Sequence, residues 1–288
     1  MKQRKSEWLF SLPTMLWLTF LYLVPTLIVI FFAFKVSDIY GSLEPGWTLL
    51  TFKKLFAPYY GKIILRTFWL SFLTTIISLA LSIPVGYYIA QSKKSVRQFL
   101  LLLIVVPFWS SFLIRIFAWK SILHPEGIIK QTLLYLNFVS PETTLLYHSS
   151  TIVFVMVYAY LPFGILPIYA AASKFNWQLM EASLDLGSSK FHSFFKVFIP
   201  GIRQGIVTAF VMIFIPAAGA YVIPDLVGGS SSEMIGNKIV QRTLVERNLP
   251  EASALSIILA VTIMVPLLFV SLFQTKGIDY EEAKRNIE

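Results

Sequence analysis

Six long apolar stretches limit the folds that this sequence of 288 residues can adopt. A helix needs about 20 mainly apolar residues to cross the hydrocarbon core of a bilayer. Charged residues make up only 14% of the chain, against roughly 25% in soluble domains. We therefore predict an all-α membrane protein with six transmembrane helices in a single domain, residues 1–288. The predicted spans are residues 8–34, 63–90, 99–119, 151–172, 205–223 and 252–273.

The basic residues outside the spans predict the orientation of the chain. Residues 8–34 are too long for a signal peptide and no cleavage site of small residues follows them, so we interpret them as an uncleaved first span. With both termini in the cytoplasm, cytoplasmic segments hold 13 Lys and Arg residues and outer segments hold 8. Because Lys and Arg are enriched on the cytoplasmic side, we expect cytoplasmic termini and a cytoplasmic loop at 174–203. This bias also accounts for the net charge of +9 without a nucleic-acid partner.

Groups that could carry chemistry are scarce. No Asp or Glu lies in the six predicted spans, whereas proton- or sodium-coupled carriers usually need an intramembrane carboxylate or an unwound carbonyl site. The chain has no Cys, no G-x-x-x-x-G-K-[ST] phosphate loop and three His in predicted loops. We predict no enzyme activity, no metal and no bound cofactor. A stand-alone carrier or channel remains an alternative, and a membrane enzyme has no catalytic constellation to support it.

Breaker residues are concentrated at the end of the fifth predicted span. The run PAAGAYVIPDLVGG, residues 216–229, contains Pro216 and Gly219 within one turn of each other. Single prolines in membrane helices usually produce ordinary kinks, because neighbouring helices satisfy the freed backbone groups. This denser run predicts a helix that breaks near the outer face and could serve as a gate.

The loop at 174–203 contains the stretch EASLDLGSSKFHSFFKVFIP, residues 181–200. Asn176 is a suitable N-cap for a helix beginning at Trp177, and Gly187 can end it in a left-handed conformation. Ser188 or Ser189 can then cap a second helix. Pro200 suits the first turn of the following span.

Two interpretations of this loop are open from the residues alone. Glu181 and Asp185 lie one turn apart, and such a like-charge pair disfavours an isolated helix by roughly 0.2–0.5 kcal/mol. The loop is either an amphipathic hairpin with its Phe side chains among lipid headgroups, or a docking element whose short helix fits a groove in another protein. The Phe side chains are Phe191, Phe194, Phe195 and Phe198.

The stretch resembles the EAA loop of ABC importer permeases, whose pattern is E-A-A-x3-G-x9-I-x-L-P. Four positions match at the family's spacing: Glu181, Ala182, Gly187 and Pro200. Ser183, Val197 and Ile199 replace Ala, Ile and Leu with residues of similar size. Segments 105–123, 160–171 and 220–239 are similar to those of permeases of spermidine/putrescine importers, and this resemblance covers nearly the whole chain.

The resemblance implies a type I importer in the bacterial cytoplasmic membrane. A second related permease, two copies of an ABC ATPase and a periplasmic or lipid-anchored solute-binding protein would be the partners, together with membrane lipid. ATP and Mg would be bound by the ATPase. The expected ATPase-coupling residues are Glu181, Ala182, Ser183, Asp185, Gly187 and Pro200.

A polyamine substrate would favour carboxylates and aromatic faces along its path, because ammonium groups bind over aromatic rings. The candidate residues for the pathway or gate are Asp225, Tyr221, Trp109, Tyr160, Pro216 and Gly219. Parts of the resemblance extend to permeases for opines, phosphonates and related solutes, so a permease for another small solute is an alternative.

Overall fold

A computed structural model describes residues 2–38, 41 and 43–285, with side chains for 11–38, 41, 43–229 and 231–268. Residues 1, 39, 40, 42 and 286–288 of the predicted domain lie outside the described residues. The helices are α1 Lys2–Ala33, α2 Leu50–Leu55, α3 Pro58–Gln91, α4 Lys94–Val105, α5 Phe112–Ile122, α6 Ile128–Tyr135, α7 Ser149–Ser173, α8 Gln178–Asp185, α9 Lys190–Ser193, α10 Ile199–Gly201, α11 Arg203–Ala218, α12 Val222–Val227, α13 Ile235–Val240 and α14 Leu249–Arg285. A two-stranded antiparallel hairpin, β1 Lys35–Ser37 and β2 Leu43–Trp47, follows α1.

Four of these helices contain continuous segments long and apolar enough to cross a membrane. They are Ser11–Ala33 of α1, all of α3, all of α7 and Leu249–Leu268 of α14. Two bent pairs pass the same test together, which raises the number to six if each pair is one span. The predicted all-α membrane fold is thus confirmed, with the short hairpin as an addition that the sequence analysis did not contain.

The third predicted span is divided into two helices. Lys94–Trp109 and Phe112–Ile122 meet at 90°, where the sequence analysis expected one helix over 99–119. Pro107 lacks the amide hydrogen that an uninterrupted helix would use. Ser110 and Ser111 are extended, with ψ of 149° and 137°, so the helical hydrogen bonds end there.

The fifth predicted span is also divided. Lys190–Gly201 and Arg203–Ala218 meet at 72°, and α11 ends five residues before the predicted end of the span at residue 223. Pro200 therefore lies in the short helix α10, before the bend. The expectation that it begins the long span was wrong, because Ile202 leaves helical geometry at φ −104° and ψ 14° and the long helix begins after it.

The residues group into two compact units. One contains the chain up to Ile63 together with Lys238–Val261, and the other contains Ile64–Asn237 together with the chain from Thr262.

Within the second unit, α7 packs closely against α3 and α11. A Cβ added at Gly164 of α7 would lie 2.4 Å from Ser82 Oγ of α3. A Cβ added at Gly205 of α11 would lie 2.3 Å from the Cβ of Ala171 in α7. Membrane helices associate through such small residues because their backbones can then approach closely.

The face of α3 that lies in this interior is lined by hydroxyl groups, which the sequence analysis did not identify. Thr75 donates to the carbonyl of Ser71 at 2.7 Å, so its hydroxyl is satisfied within the helix. Thr74 Oγ1 lies 3.7 Å from Met156 Sδ on α7. The fully buried hydroxyl-bearing residues of this face are Thr67, Ser71, Thr74, Thr75, Ser78 and Ser82.

The first unit is held together by an ion network. Arg242 forms ion pairs with Glu246 and with Glu251, whose Oε1 lies 3.2 Å from the Arg242 Nε. The guanidinium also donates to the Tyr60 hydroxyl at 3.0 Å, and Tyr60 donates to Glu251. In the β1–β2 connection, Gly41 has φ +85°, and a Cβ there would lie 2.8 Å from the Glu246 carbonyl oxygen. Close backbone approach therefore requires glycine at this position.

Candidate functional site

The loop 174–203, called the coupling loop below, begins with a helix whose two ends are formed by local contacts. Asn176 Oδ1 accepts the amide hydrogen of Gln178, the first residue of α8, at 3.1 Å. The predicted N-cap is displaced by one residue, because α8 begins at Gln178 and Trp177 takes the N-cap position. At the other end, Gly187 adopts φ +86° and donates to the Leu184 carbonyl at 2.9 Å. The predicted left-handed end at Gly187 is therefore present.

The second helix of the coupling loop is also capped locally. Ser189 Oγ accepts the amide hydrogen of His192 at 3.2 Å, which assigns the cap to Ser189. Ser183 Oγ lies 2.9 Å from the Oγ of Ser193, and Ser193 is fully buried. This side-chain hydrogen bond joins α8 to α9.

A cluster of five aromatic side chains, called the aromatic anchor below, attaches the coupling loop to α3. Tyr87 of α3 packs edge-on against Phe198 at 4.8 Å between ring centroids. Trp177 stacks on the same Phe198 ring at 5.6 Å. The members are Tyr87, Phe175, Trp177, Phe194 and Phe198. The sequence analysis did not identify this cluster, because Tyr87 lies far from the loop along the chain.

The four Phe residues that the sequence analysis grouped together have different environments. Phe198 is fully buried and Phe194 is half-buried in the aromatic anchor. Phe191 and Phe195 are exposed and pack on each other at 4.7 Å. Only Phe191 and Phe195 are therefore available to lipid headgroups or to another protein.

The outward face of α8 combines apolar and acidic side chains. Met180 is buried, whereas Leu179 is 52% exposed and Leu186, directly after the end of α8, is 89% exposed. Glu181 and Asp185 are exposed beside them. An exposed apolar surface with polar residues around it is typical of a protein interaction site. The coupling-loop candidates Glu181, Ala182, Asp185, Gly187 and Pro200 are exposed, and Ser183 is half-buried.

At the other end of α11, the predicted break is present and has an identifiable hydrogen-bond arrangement. The Ala220 amide would complete a helical hydrogen bond to the Pro216 carbonyl, but it donates instead to Ala217 at 3.3 Å. The Tyr160 hydroxyl of α7 donates to the Pro216 carbonyl at 3.3 Å. A side chain on a neighbouring helix thus provides the donor that the interrupted helix lacks.

This break lines a cavity of about 190 Å³. The cavity brings together four of the predicted pathway residues, Tyr160, Pro216, Gly219 and Tyr221. The sequence analysis missed Phe112, Ala220, Val222 and Ile223, which also line it. Phe112 begins α5 directly after the Ser110–Ser111 break, and the two serines were the available signal for a helix start there.

The other two predicted pathway residues do not line the cavity. Asp225 is exposed on α12, one turn after Tyr221, whose carbonyl accepts the Asp225 amide hydrogen at 3.0 Å. Trp109 is 79% exposed at the bend between α4 and α5. Asn237 Nδ2 also donates to the Tyr221 carbonyl, at 3.0 Å, and this contact positions the broken segment. The roles of the six predicted pathway residues in transport stay predictions.

The fold is that of a membrane subunit of an ABC transporter. The chain aligns with a chain from the crystal structure of "a bacterial ABC transporter involved in the import of the acidic polysaccharide alginate", with a TM-score of 0.76 and 20% identity. The alignment covers 96% of this chain and 98% of that chain. At this identity the likeness shows the fold alone.

The chain belongs to the family described as "binding-protein-dependent transport system inner membrane component", whose sequence model matches residues 82–276. It is similar to the spermidine/putrescine transport system permease protein PotB of Haemophilus influenzae, with 34% identity over 254 residues and 88% of each chain covered. The corresponding protein of Escherichia coli K12 is 31% identical over 252 residues, with 88% of this chain and 92% of that protein covered. The predicted ABC permease is confirmed: the chain is a transport subunit of the inner membrane and works with a binding protein.

Proposed function

We propose that this chain forms part of the pathway by which an ATP-driven importer carries polyamines across the bacterial cytoplasmic membrane. The observation that carries the proposal is the similarity to spermidine/putrescine permeases at 34% identity over 88% of both chains. It extends over the predicted pathway as well as the coupling loop, so it concerns more than the shared fold.

The geometry of the coupling loop supports a role in energy transfer. The exposed face of α8, with Leu179 and Leu186 beside two carboxylates, suits a groove on a cytoplasmic ATPase. The aromatic anchor attaches this hairpin to α3, and the 72° bend at Ile202 leads directly into α11. A displacement of α8 by the ATPase would therefore reach two membrane helices through packed side chains and continuous backbone.

The broken end of α11 supports a role in the pathway. Tyr221 is 47% exposed and lines the cavity, and the exposed carboxylate of Asp225 lies one turn further along. An aromatic face and a carboxylate are suitable partners for an ammonium group, with a cation–π contact contributing about 0.5–2 kcal/mol. Pro216 and Gly219 flank the break, which gives the segment a place to change its angle.

The proposed assembly pairs this chain with a second related permease and two copies of an ABC ATPase that bind ATP and Mg. A periplasmic or lipid-anchored binding protein delivers the solute. Both termini and the coupling loop face the cytoplasm, as the distribution of Lys and Arg favours.

The test is uptake of labelled spermidine by the complete complex reconstituted in lipid vesicles. We expect saturable, ATP-dependent uptake that unlabelled putrescine blocks and that an opine or a phosphonate does not. A complex with a hydrolysis-deficient ATPase is the matched control and should show no uptake. ATP hydrolysis stimulated by another competitor, without spermidine uptake, would overturn the polyamine assignment, and uptake by this chain alone without ATP would overturn the ABC mechanism.

A further inference from the structure

An apolar groove lies between α3 and α4 on the surface of the second unit. The groove has a volume of about 480 Å³, within the roughly 300–1,000 Å³ typical of ligand pockets. Its walls are the last turns of α3 and the second half of α4. The lining residues are Pro84, Val85, Tyr88, Ile89, Leu100, Leu103 and Ile104.

The groove and the aromatic anchor lie on different faces of α3. Tyr87 points into the anchor, whereas the adjacent Tyr88 lines the groove and is 62% exposed. Val85 and Leu103 are 38% and 51% exposed, so the side chains of this chain leave apolar surface uncovered. In a membrane protein, apolar surface of this kind is available to acyl chains.

The α3–α4 turn and the first turn of α4, called the basic turn below, carry three basic residues. Lys93, Lys94 and Arg97 lie between the groove residues Ile89 and Leu100 along the chain. The sequence has no Asp or Glu between Glu44 and Glu126, so this segment contains no carboxylate of its own to neutralise them. Lys93 and Lys94 are exposed and Arg97 is half-buried.

The beginning of α4 adds to the attraction for an anion. Lys93 is at the N-cap and provides no side-chain acceptor, and the first turn has no acidic residue. The first amide groups of a helix have no partner within the helix and carry partial positive charge. Basic side chains and the first amides of α4 therefore lie one to three turns before the groove-lining residues of the same helix.

We propose that this groove binds an anionic phospholipid, with one acyl chain along Val85, Tyr88 and Leu103 and the phosphate at Lys93, Lys94 and Arg97. The apolar walls alone would accept the tail of any lipid, and the basic turn selects an anionic headgroup. Basic pockets between membrane helices bind such headgroups. The proposal depends neither on the polyamine substrate nor on which side of the membrane the turn faces.

The first experiment is native mass spectrometry of the assembled complex titrated with phosphatidylglycerol or phosphatidylcholine. We expect an apparent Kd at least tenfold lower for phosphatidylglycerol. A Lys93→Gln, Lys94→Gln, Arg97→Gln variant should weaken its binding by roughly a hundredfold, at about fivefold for each basic residue near the headgroup. The matched control is Lys53→Gln, Lys54→Gln, Lys62→Gln, which removes the same charge at exposed positions and should change the Kd by less than about twofold.

A second pair of variants tests the groove without changing the charge. Leu103→Trp should fill it and weaken phosphatidylglycerol binding by about tenfold, whereas Leu102→Trp, at a 50% exposed neighbour outside the groove, should leave it unchanged. Equal binding by the Leu103 variant and the wild type would overturn the proposal. Equal losses of phosphatidylglycerol binding in the Lys93/Lys94/Arg97 variant and in the Lys53/Lys54/Lys62 control would also overturn it. The same holds if the assembled complex shows no preference for phosphatidylglycerol because the second permease covers the groove.

Discussion

The coupling loop and the broken end of α11 differ in the range of the hydrogen bonds that shape them. In the coupling loop, side-chain hydrogen bonds span 2, 3 and 10 residues, at Asn176, Ser189 and the Ser183–Ser193 pair. At the end of α11, the bonds from Tyr160 to Pro216 and from Asn237 to Tyr221 span 56 and 16 residues. The first region is largely formed by its own sequence, and the second depends on other parts of the fold.

This difference has a consequence for how each region can move. A hairpin formed by local contacts can shift as a rigid piece if its attachment through the aromatic anchor is retained. A broken helix held by distant donors changes its angle only when those donors move with it. The following predictions test this comparison, beginning with the largest expected effect.

Removal of the central ring of the aromatic anchor should have the largest effect on stability. Phe198→Ala deletes a fully buried ring and should lower the free energy of unfolding by about 3–5 kcal/mol. Phe191→Ala, in the same loop at 74% exposure, is the control and should change it by less than about 0.5 kcal/mol. Denaturant unfolding of the purified chain measures both, and similar losses would show that the anchor does not attach the loop.

A change at Gly187 should disturb the local shape of the coupling loop. Gly187→Ala places a Cβ on a residue at φ +86°, which should cost about 1–2 kcal/mol, although no atom lies within 4 Å of that Cβ. The penalty therefore comes from the backbone conformation alone. We expect spermidine uptake per ATP hydrolysed to fall by about tenfold in vesicles.

The matched control is Gly61→Ala, in a helical segment of α3 where a Cβ also has open space and φ is not positive. It should leave uptake per ATP unchanged. An equal fall in both variants would contradict the left-handed requirement at Gly187.

The long-range hydrogen bond at the broken helix should contribute less than the anchor. Tyr160→Phe removes the donor to the Pro216 carbonyl and should lower the free energy of unfolding by about 1 kcal/mol. Tyr158→Phe, on the same helix and with its ring against Trp119, should have little effect. If the two variants are equally stable, the break at Pro216 does not depend on the Tyr160 hydroxyl.

The smallest expected effect is electrostatic. Asp225→Asn removes an exposed carboxylate near the cavity and should raise the KM for spermidine by about two- to fivefold, corresponding to roughly 0.4–1 kcal/mol. The effect should shrink with added salt because exposed charges are screened. Glu142→Gln, at another exposed acid, is the control. A KM that is unchanged at low salt would remove Asp225 from the pathway.

Sequence patterns predicted the features that short segments encode. The apolar stretches, the side-chain contact of Asn176 at the start of α8, the left-handed Gly187 and the break after Pro216 all appear in the structure. The 90° bend between α4 and α5 was missed, because a proline in a membrane helix is compatible with a mild kink or with a full break. The neighbours of a segment decide between the two outcomes.

What the sequence by itself determined is the membrane character of the chain and the local form of the coupling loop, since both depend on hydrophobicity and on backbone preferences within a few residues. The tertiary structure alone decided how equivalent residues are used. Tyr87 and Tyr88 are adjacent and identical in type, yet one joins the aromatic anchor and the other lines the apolar groove between α3 and α4. Successive residues of a helix point about 100° apart, and only the packing of α3 against its neighbours determines what each direction meets.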